Sequence, residues 1–356
     1  MADRTQDRDL RARLARRIAR ALLRGLAAVL VLLGVLVLGG AAWSSLCNAR
    51  DTRRFPPPGQ LVEVDGRTLH LHCTGQGQPT VILDSGFSLP ALSWALVQPE
   101  LSRRTRVCSY DRVGLGYSEP DPSGAPQTSA HMAERLHALL ERAGVRGPLV
   151  LVGHSNGGYL VRSYYARFPS EVVGAVLVDA SHERMDEHFV GPQWESAHRA
   201  GQASEHRWLP VWRFLSWSGV LRGGLTLLSR SSKLPLPRDV VERAIFLFSQ
   251  PAWRPSTVAE GDGIPDSVAE MRGGRGLGSL PLVVLTAGRF QPRGVPDRGD
   301  DWNRLWVKEL QPQLARLSTR GRQVVADSGH LIPFEAPGAV VQAVSEVLER
   351  LAAKPQ

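Results

Sequence analysis

The chain has 356 residues, 43% of them hydrophobic, with 43 Lys and Arg against 34 Asp and Glu and a formal net charge of +9. That length accommodates one large α/β core with an insertion, and the composition is that of an ordinary globular protein with one unusual segment at its start. The basic excess is no nucleic-acid footprint: eight arginines against three aspartates in residues 1–24 supply +5 of it, and the rest is spread over more than 300 residues.

Residues 25–43, GLAAVLVLLGVLVLGGAAW, carry no charge. They are long enough to cross the hydrocarbon core, which needs about 20 helical residues. Arginines flank this run on its N-terminal side, so residues 1–24 are expected in the cytoplasm and everything after Trp43 outside. The reading taken is a retained membrane anchor; the alternative is a signal peptide cleaved after Ala42, with the remainder secreted. Residues 44–59 are expected to be a linker, stiffened by Phe55-Pro56-Pro57-Pro58.

Residues 61–75 read as two alternating strands joined at Asp65-Gly66, a hairpin signal. PTVILD (79–84) is a buried strand, and TRVCSY (105–110) another that breaks into a glycine-rich loop. Helical periodicity covers 129–144. PLVLVGHS (148–155) is a strand and Asn156 to Phe168 a helix. VVGAVLVDAS (172–181) is a strand, and so are PLVVLTAG (281–288) and RQVVADSGH (322–330). Helices are expected near 302–317 and from Pro337 to about Leu351. Strands alternating with helices predict an α/β fold, a mostly parallel sheet covered on both faces. Residues 60–181 and 280–354 form this core.

Residues 182–279 show no clear strand and hold five of the nine tryptophans: Trp194, Trp208, Trp212, Trp217 and Trp253. They are expected to form a helical cap inserted between two core strands. Most of these rings would pack the cap itself, and at least one would line an apolar substrate pocket beneath it. Of the three cysteines, Cys47, Cys73 and Cys108, none has metal-ligand spacing. Cys73 and Cys108 fall in predicted strands; a disulfide and two buried thiols are both open.

Gly153-His154-Ser155-Asn156-Gly157 sits between a predicted strand and a predicted helix. A serine hydroxyl needs a base and an exposed position to act as a nucleophile. A sharp strand-to-helix turn supplies the position, and the glycines leave room for it. The turn also aims the Asn156 backbone N–H at a developing oxyanion. This is the nucleophile-elbow pattern G-x-S-x-G.

With that elbow, residues 60–354 resemble the α/β-hydrolase superfamily. LDSGFS (83–88) resembles its oxyanion loop, which implies that the Phe87 N–H is the second donor; Ser85-Gly86 stands where His-Gly is usual. YDRVGLGYSEP (110–120) resembles a loop in which Asp111 and Arg112 fix neighbouring loops. DSGHLIPFEAP (327–337) resembles the segment bearing the general base, which implies His330. The usual acid position, three residues past Gly288, is Gln291, which cannot supply a charge. Asp179, at the end of the strand after the elbow helix, is the favoured acid; Asp297, Asp300 and Asp301 are the alternatives.

The resemblance implies acyl transfer to water with Ser155 as nucleophile and no metal or organic cofactor. Its aspartate-nucleophile branches, dehalogenases and epoxide hydrolases, do not fit Ser155. Ester, thioester, amide and peptide substrates stay open. The partners expected are a small apolar acyl substrate and a membrane, through the N-terminal helix, and no nucleic acid. The rival readings are a non-catalytic binding or signalling protein on the same fold, and a membrane-tethered structural partner.

Overall fold

The computed structural model describes residues 2–191, 193–231, 234, 236–274, 276–289 and 303–353. Helix α1 runs unbroken over Ala2–Arg54. The linker expected over 44–59 is therefore mostly helix, and only residues 55–59 leave it. SSLCNARDTRR holds neither Pro nor Gly, so nothing stops the helix until Pro56, which disfavours helical backbone at the residue before it.

Strands β1 (Gln60–Val64) and β2 (Arg67–Thr74) form the expected hairpin. Asp65 and Gly66 both take positive φ, as a tight two-residue turn demands. Then come β3 (Thr80–Asp84), α2 (Gln98–Leu101), β4 (Val107–Tyr110), α3 (Ser129–Arg142), β5 (Leu149–His154), α4 (Gly157–Arg167) and β6 (Val172–Val178). The eight-stranded sheet has the order β1-β2-β4-β3-β5-β6-β7-β8. Its first two pairings are antiparallel and the rest parallel.

Side chains alternate across each strand, so both faces of the sheet build a core. Leu149 and Leu151 of β5 join one, with Leu136 and Leu139 of α3 and Leu160 of α4. Val150 and Val152 join the other, with Trp94 and the last helix, α13 (Pro337–Ala352). Cys73 and Cys108 stand directly opposite each other in the β2–β4 register and are disulfide-bonded.

Between β6 and β7 (Leu282–Ala287) the chain builds α5 (Met185–Val190), α6 (Trp194–Trp217), α7 (Val220–Ser229), α8 (Arg238–Phe248), α9 (Trp253–Asp262) and α10 (Ile264–Gly273). Among its described residues this insertion holds no strand. Its tryptophans divide: Trp194 packs with Tyr159, Val268 and Met271, whereas Trp208 and Trp217 are exposed. The chain closes through a π-helical turn (Trp306–Leu310), α11 (Gln311–Ala315), β8 (Gly321–Ala326), α12 (Ile332–Glu335) and α13.

Candidate active site

Three strand ends converge at the carboxyl edge of the parallel sheet, where such folds gather ligands. β5 ends in the turn that carries Ser155, whose φ of 52° is left-handed, a strained position for a residue with a Cβ. A Cβ on Gly157 would lie 2.5 Å from Asp84 Oδ2, and one on Gly86 3.3 Å from Ser155 Cβ. Only glycine lets the turn and the loop after β3 approach this closely.

Asp179 follows β6, also at positive φ (41°), and is fully buried. His330 follows β8 and is half-buried. His330 Nδ1 lies 2.6 Å from Asp179 Oδ2, and His330 Nε2 lies 3.0 Å from Ser155 Oγ. The buried carboxylate accepts the Nδ1 proton, which leaves Nε2 as the acceptor for the Ser155 hydroxyl. Asp179 Oδ1 is held separately. It accepts from the Ala287 N–H at 2.9 Å and the Trp306 indole N–H at 2.7 Å. Three donors thus fix the carboxylate in one orientation. The alternative acids Asp297, Asp300 and Asp301 lie outside the described residues.

The two amides expected as donors lie on separate segments: Phe87 follows Gly86, which approaches Ser155, on the loop after β3, and Asn156 directly follows Ser155 at the start of α4. Neither donates to a protein group among the described residues. The loop that carries Phe87 is clamped on both sides of it. Arg112 donates to the carbonyls of Ser85 and Gly86, each at 2.6 Å. Glu260, from α9 of the cap, accepts the Ser88 N–H at 2.8 Å and pairs with Arg112 Nε at 2.6 Å. Arg112 also reaches Asp84 at 3.1 Å, and Tyr110 donates to the same Asp84 oxygen at 2.6 Å. Burial works against the Arg112 charge, and Glu260 and Asp84 outweigh it, so its pKa is raised. Burial also raises the Asp84 carboxyl, opposed by Arg112 and Tyr110.

Asp111 braces the next loop: it accepts from the Ala91 N–H at 2.6 Å and the Tyr117 N–H at 3.0 Å, and pairs with His70 at 2.6 Å. The Trp253 indole donates to the Ser88 carbonyl at 3.1 Å, with Phe248 edge-on to its ring at 5.3 Å. An aromatic pair of the cap therefore borders the loop after β3. His154 is buried against His330, its Nε2 donating to the His330 carbonyl at 2.9 Å. Burial first, and the adjacent His330 ring next, hold its pKa down to about 3. A cavity of about 380 Å³, lined by His72, Gln98, Ser109, Arg243 and Leu247, includes none of Ser155, His330 and Asp179.

Sequence reasoning missed Glu260 and Trp306, and named Trp253 only as one of the five tryptophans of the cap. Each acts on a partner more than a hundred residues away in the chain. The one available signal was a charge, Glu260, directly after Val258 and Ala259 in the last turn of a cap helix. No cluster of metal-ligating side chains is present among the described residues.

Residues 79–205 match the family model for the alpha/beta hydrolase fold. A protein of Hormonema carpetanum named "Probable transporter efuK" is 28% identical over 318 residues, covering 83% of this chain and 43% of that protein. The 2-hydroxy-6-oxo-2,4-heptadienoate hydrolase of Pseudomonas putida is 38% identical over 128 residues, covering 34% of this chain and 44% of the hydrolase. The chain thus spans less than half the length of either relative. Among solved structures, a thermophilic esterase from Thermogutta terrifontis superposes with a TM-score of 0.58 at 23% identity, covering 82% of this chain and 97% of the esterase. The sheet order, the inserted cap, the elbow at Ser155 and these matches agree on one architecture: the chain has the alpha/beta hydrolase fold.

Proposed function

We propose that this protein is a serine hydrolase that cleaves an ester-type acyl substrate through an acyl-enzyme. The observation that carries the reading is the relay from Asp179 Oδ2 through the His330 ring to Ser155 Oγ, at 2.6 and 3.0 Å. His330 Nε2 takes the Ser155 proton as Oγ attacks the acyl carbonyl carbon. The carbonyl oxygen becomes an oxyanion and receives the Phe87 and Asn156 N–H groups. The imidazolium is stabilised by the buried Asp179 and returns its proton to the leaving oxygen. Water then repeats the sequence on the acyl-enzyme, with His330 as base, and frees the acid and Ser155. Trp253 and Phe248 beside the oxyanion loop favour an apolar acyl group. The names of the compared esterase and dienoate hydrolase support hydrolysis as the reaction class.

Among the described residues one helix, within α1, is long and apolar enough to cross a membrane. We read it as a retained anchor that places the catalytic domain outside the cytoplasm. The one-sided arginines support that orientation, and the Cys73–Cys108 disulfide suits an oxidising compartment.

The test is turnover of short- and medium-chain p-nitrophenyl esters by the full chain in detergent, beside Ser155→Ala. Turnover that falls by several orders of magnitude in a folded Ser155→Ala protein supports the reading. Equal turnover by both proteins refutes it.

A further inference from the structure

The C-terminal half of α1 does not stand clear of the domain. Val37 and Gly40 are half-buried, Ala41 and Ser44 are buried, and Asn48 and Asp51 are half-buried. These positions repeat at helical spacing and make one stripe facing the cap. At its lower end the stripe meets the corner between α6 and α7: a Cβ on Gly219 would stand 2.7 Å from the Gly40 carbonyl oxygen and 3.2 Å from Ser44 Cβ. At its upper end the buried Arg222 of α7 donates to Asp51 Oδ2 at 2.6 Å and Asn48 Oδ1 at 2.5 Å. Above that, Phe55 packs on Phe246 and Leu247 of α8. The cap is therefore fixed to α1 at a defined height.

That height lies within the uncharged run. Val37 precedes Trp43, where the run ends, by six residues, which is about 9 Å along a helix. Interfacial helices bury their apolar faces by a similar about 5–10 Å. The corner has the surface for it. Phe214, Trp217 and Val220 are exposed, Trp217 by 51% and Val220 by 58%, and Trp43 of α1 is exposed beside them. Leu227 and Leu228 extend the apolar surface along α7. Arg207, Arg213 and Arg230 are exposed on or next to the same helices and have no carboxylate partner among the described residues. Tryptophan at the edge of an apolar face with arginine around it is the composition of a membrane–water boundary.

We propose that the α6–α7 corner of the cap is seated in the outer headgroup layer of the bilayer that α1 crosses, with Phe214, Trp217 and Val220 at the acyl boundary. The occupant of this face is lipid, because the face is continuous with a helix whose own exposed surface requires lipid at the same level. The cap, and with it Glu260 and Trp253 at the oxyanion loop, would then meet apolar esters at the membrane rather than in bulk water. The proposal rests on reading α1 as a retained anchor, and not on the hydrolytic reading.

The experiment uses the full chain with Cys47→Ser, reconstituted in phosphatidylcholine–phosphatidylglycerol vesicles. An NBD fluorophore is placed on one new cysteine at a time: Trp217→Cys, Val220→Cys, Leu30→Cys within the span, and Arg103→Cys on the far side of the core. Nitroxide lipids labelled near the headgroup or deep in the chains serve as quenchers. The expected result is quenching of at least about twofold at 217 and 220 by the shallow label, as a depth of about 5–10 Å implies. Leu30 should respond to the deep label, and Arg103 to neither. Quenching at 30 without quenching at 217 and 220 overturns the proposal and spares the anchor. No quenching at 30 overturns both.

Discussion

Glu260 of the cap and Arg112 of the core form an ion pair, 2.6 Å from Oε1 to Nε, in which both side chains are buried. The pair joins two segments 148 residues apart and closes around the loop that carries Phe87. Removing one partner of an isolated buried pair costs about 3–5 kcal/mol; Arg112 keeps Asp84 at 3.1 Å, so the loss of Glu260 should cost less than that. Glu260→Ala should still lower the denaturation midpoint. Glu260→Gln can still accept the Ser88 N–H, and should lower kcat by less than the about 10²–10³-fold that loss of a whole oxyanion donor costs. In both, KM should change less than kcat, because the loop aims a donor at the transition state. Steady-state kinetics beside a urea melt separates the two effects.

Asp179→Asn keeps the shape of the acid and removes its charge. It can also donate to His330 Nδ1 and so impose the wrong tautomer. The expected loss in kcat is about 10⁴-fold, with the protein still folded. Asp297→Asn, Asp300→Asn and Asp301→Asn should each leave kcat near the parent value. A large loss in any of those three, with Asp179→Asn active, would move the acid to the loop after β7.

Trp306→Phe removes one of the two donors that hold Asp179 Oδ1 and keeps an aromatic ring in the core. A hydrogen bond to a charged group contributes about 1.5–3 kcal/mol. The variant should lose stability in that range, and its kcat should fall with little change in KM. Unchanged kcat with lowered stability would make the indole purely structural.

His154 sets a pH dependence of stability. Its folded pKa is held down to about 3, whereas an unfolded imidazole takes its proton near pH 6.5. Between those values the unfolded chain binds a proton that the native site refuses. Stability from this group is thus fully present above about pH 6.5 and falls as pH drops toward 3, by about 1.4 kcal/mol per pH unit. His182, held down to about 4 by burial, adds in the same direction. Denaturation midpoints at pH 7 and 5 should fall more steeply for the parent than for His154→Asn. Parallel slopes would show that His154 takes its proton in the folded state.

Ser155 and His330 are legible in the sequence because each sits in a local pattern, a strand followed by a short loop of distinctive residues. The sheet is legible for the same reason: alternation and apolar runs are local properties of each strand. Asp179 was a choice among four aspartates, since the usual acid position holds Gln291. Trp306 and Glu260 were not legible, because what defines them is a partner brought close only by the sheet and the cap. The Cys73–Cys108 pair depended on strand register, which alternation alone does not specify. The stiff linker expected over 44–59 is helix as far as Arg54, because the residues before the proline cluster contain no breaker.

The most direct test of the central claim is labelling of the full chain by a fluorophosphonate probe, with the modified residue mapped by mass spectrometry. The account predicts one adduct, on Ser155, that disappears in Ser155→Ala and is strongly slowed in His330→Ala. A folded parent protein that takes no label while it turns over esters, or an adduct on a different residue, would contradict it.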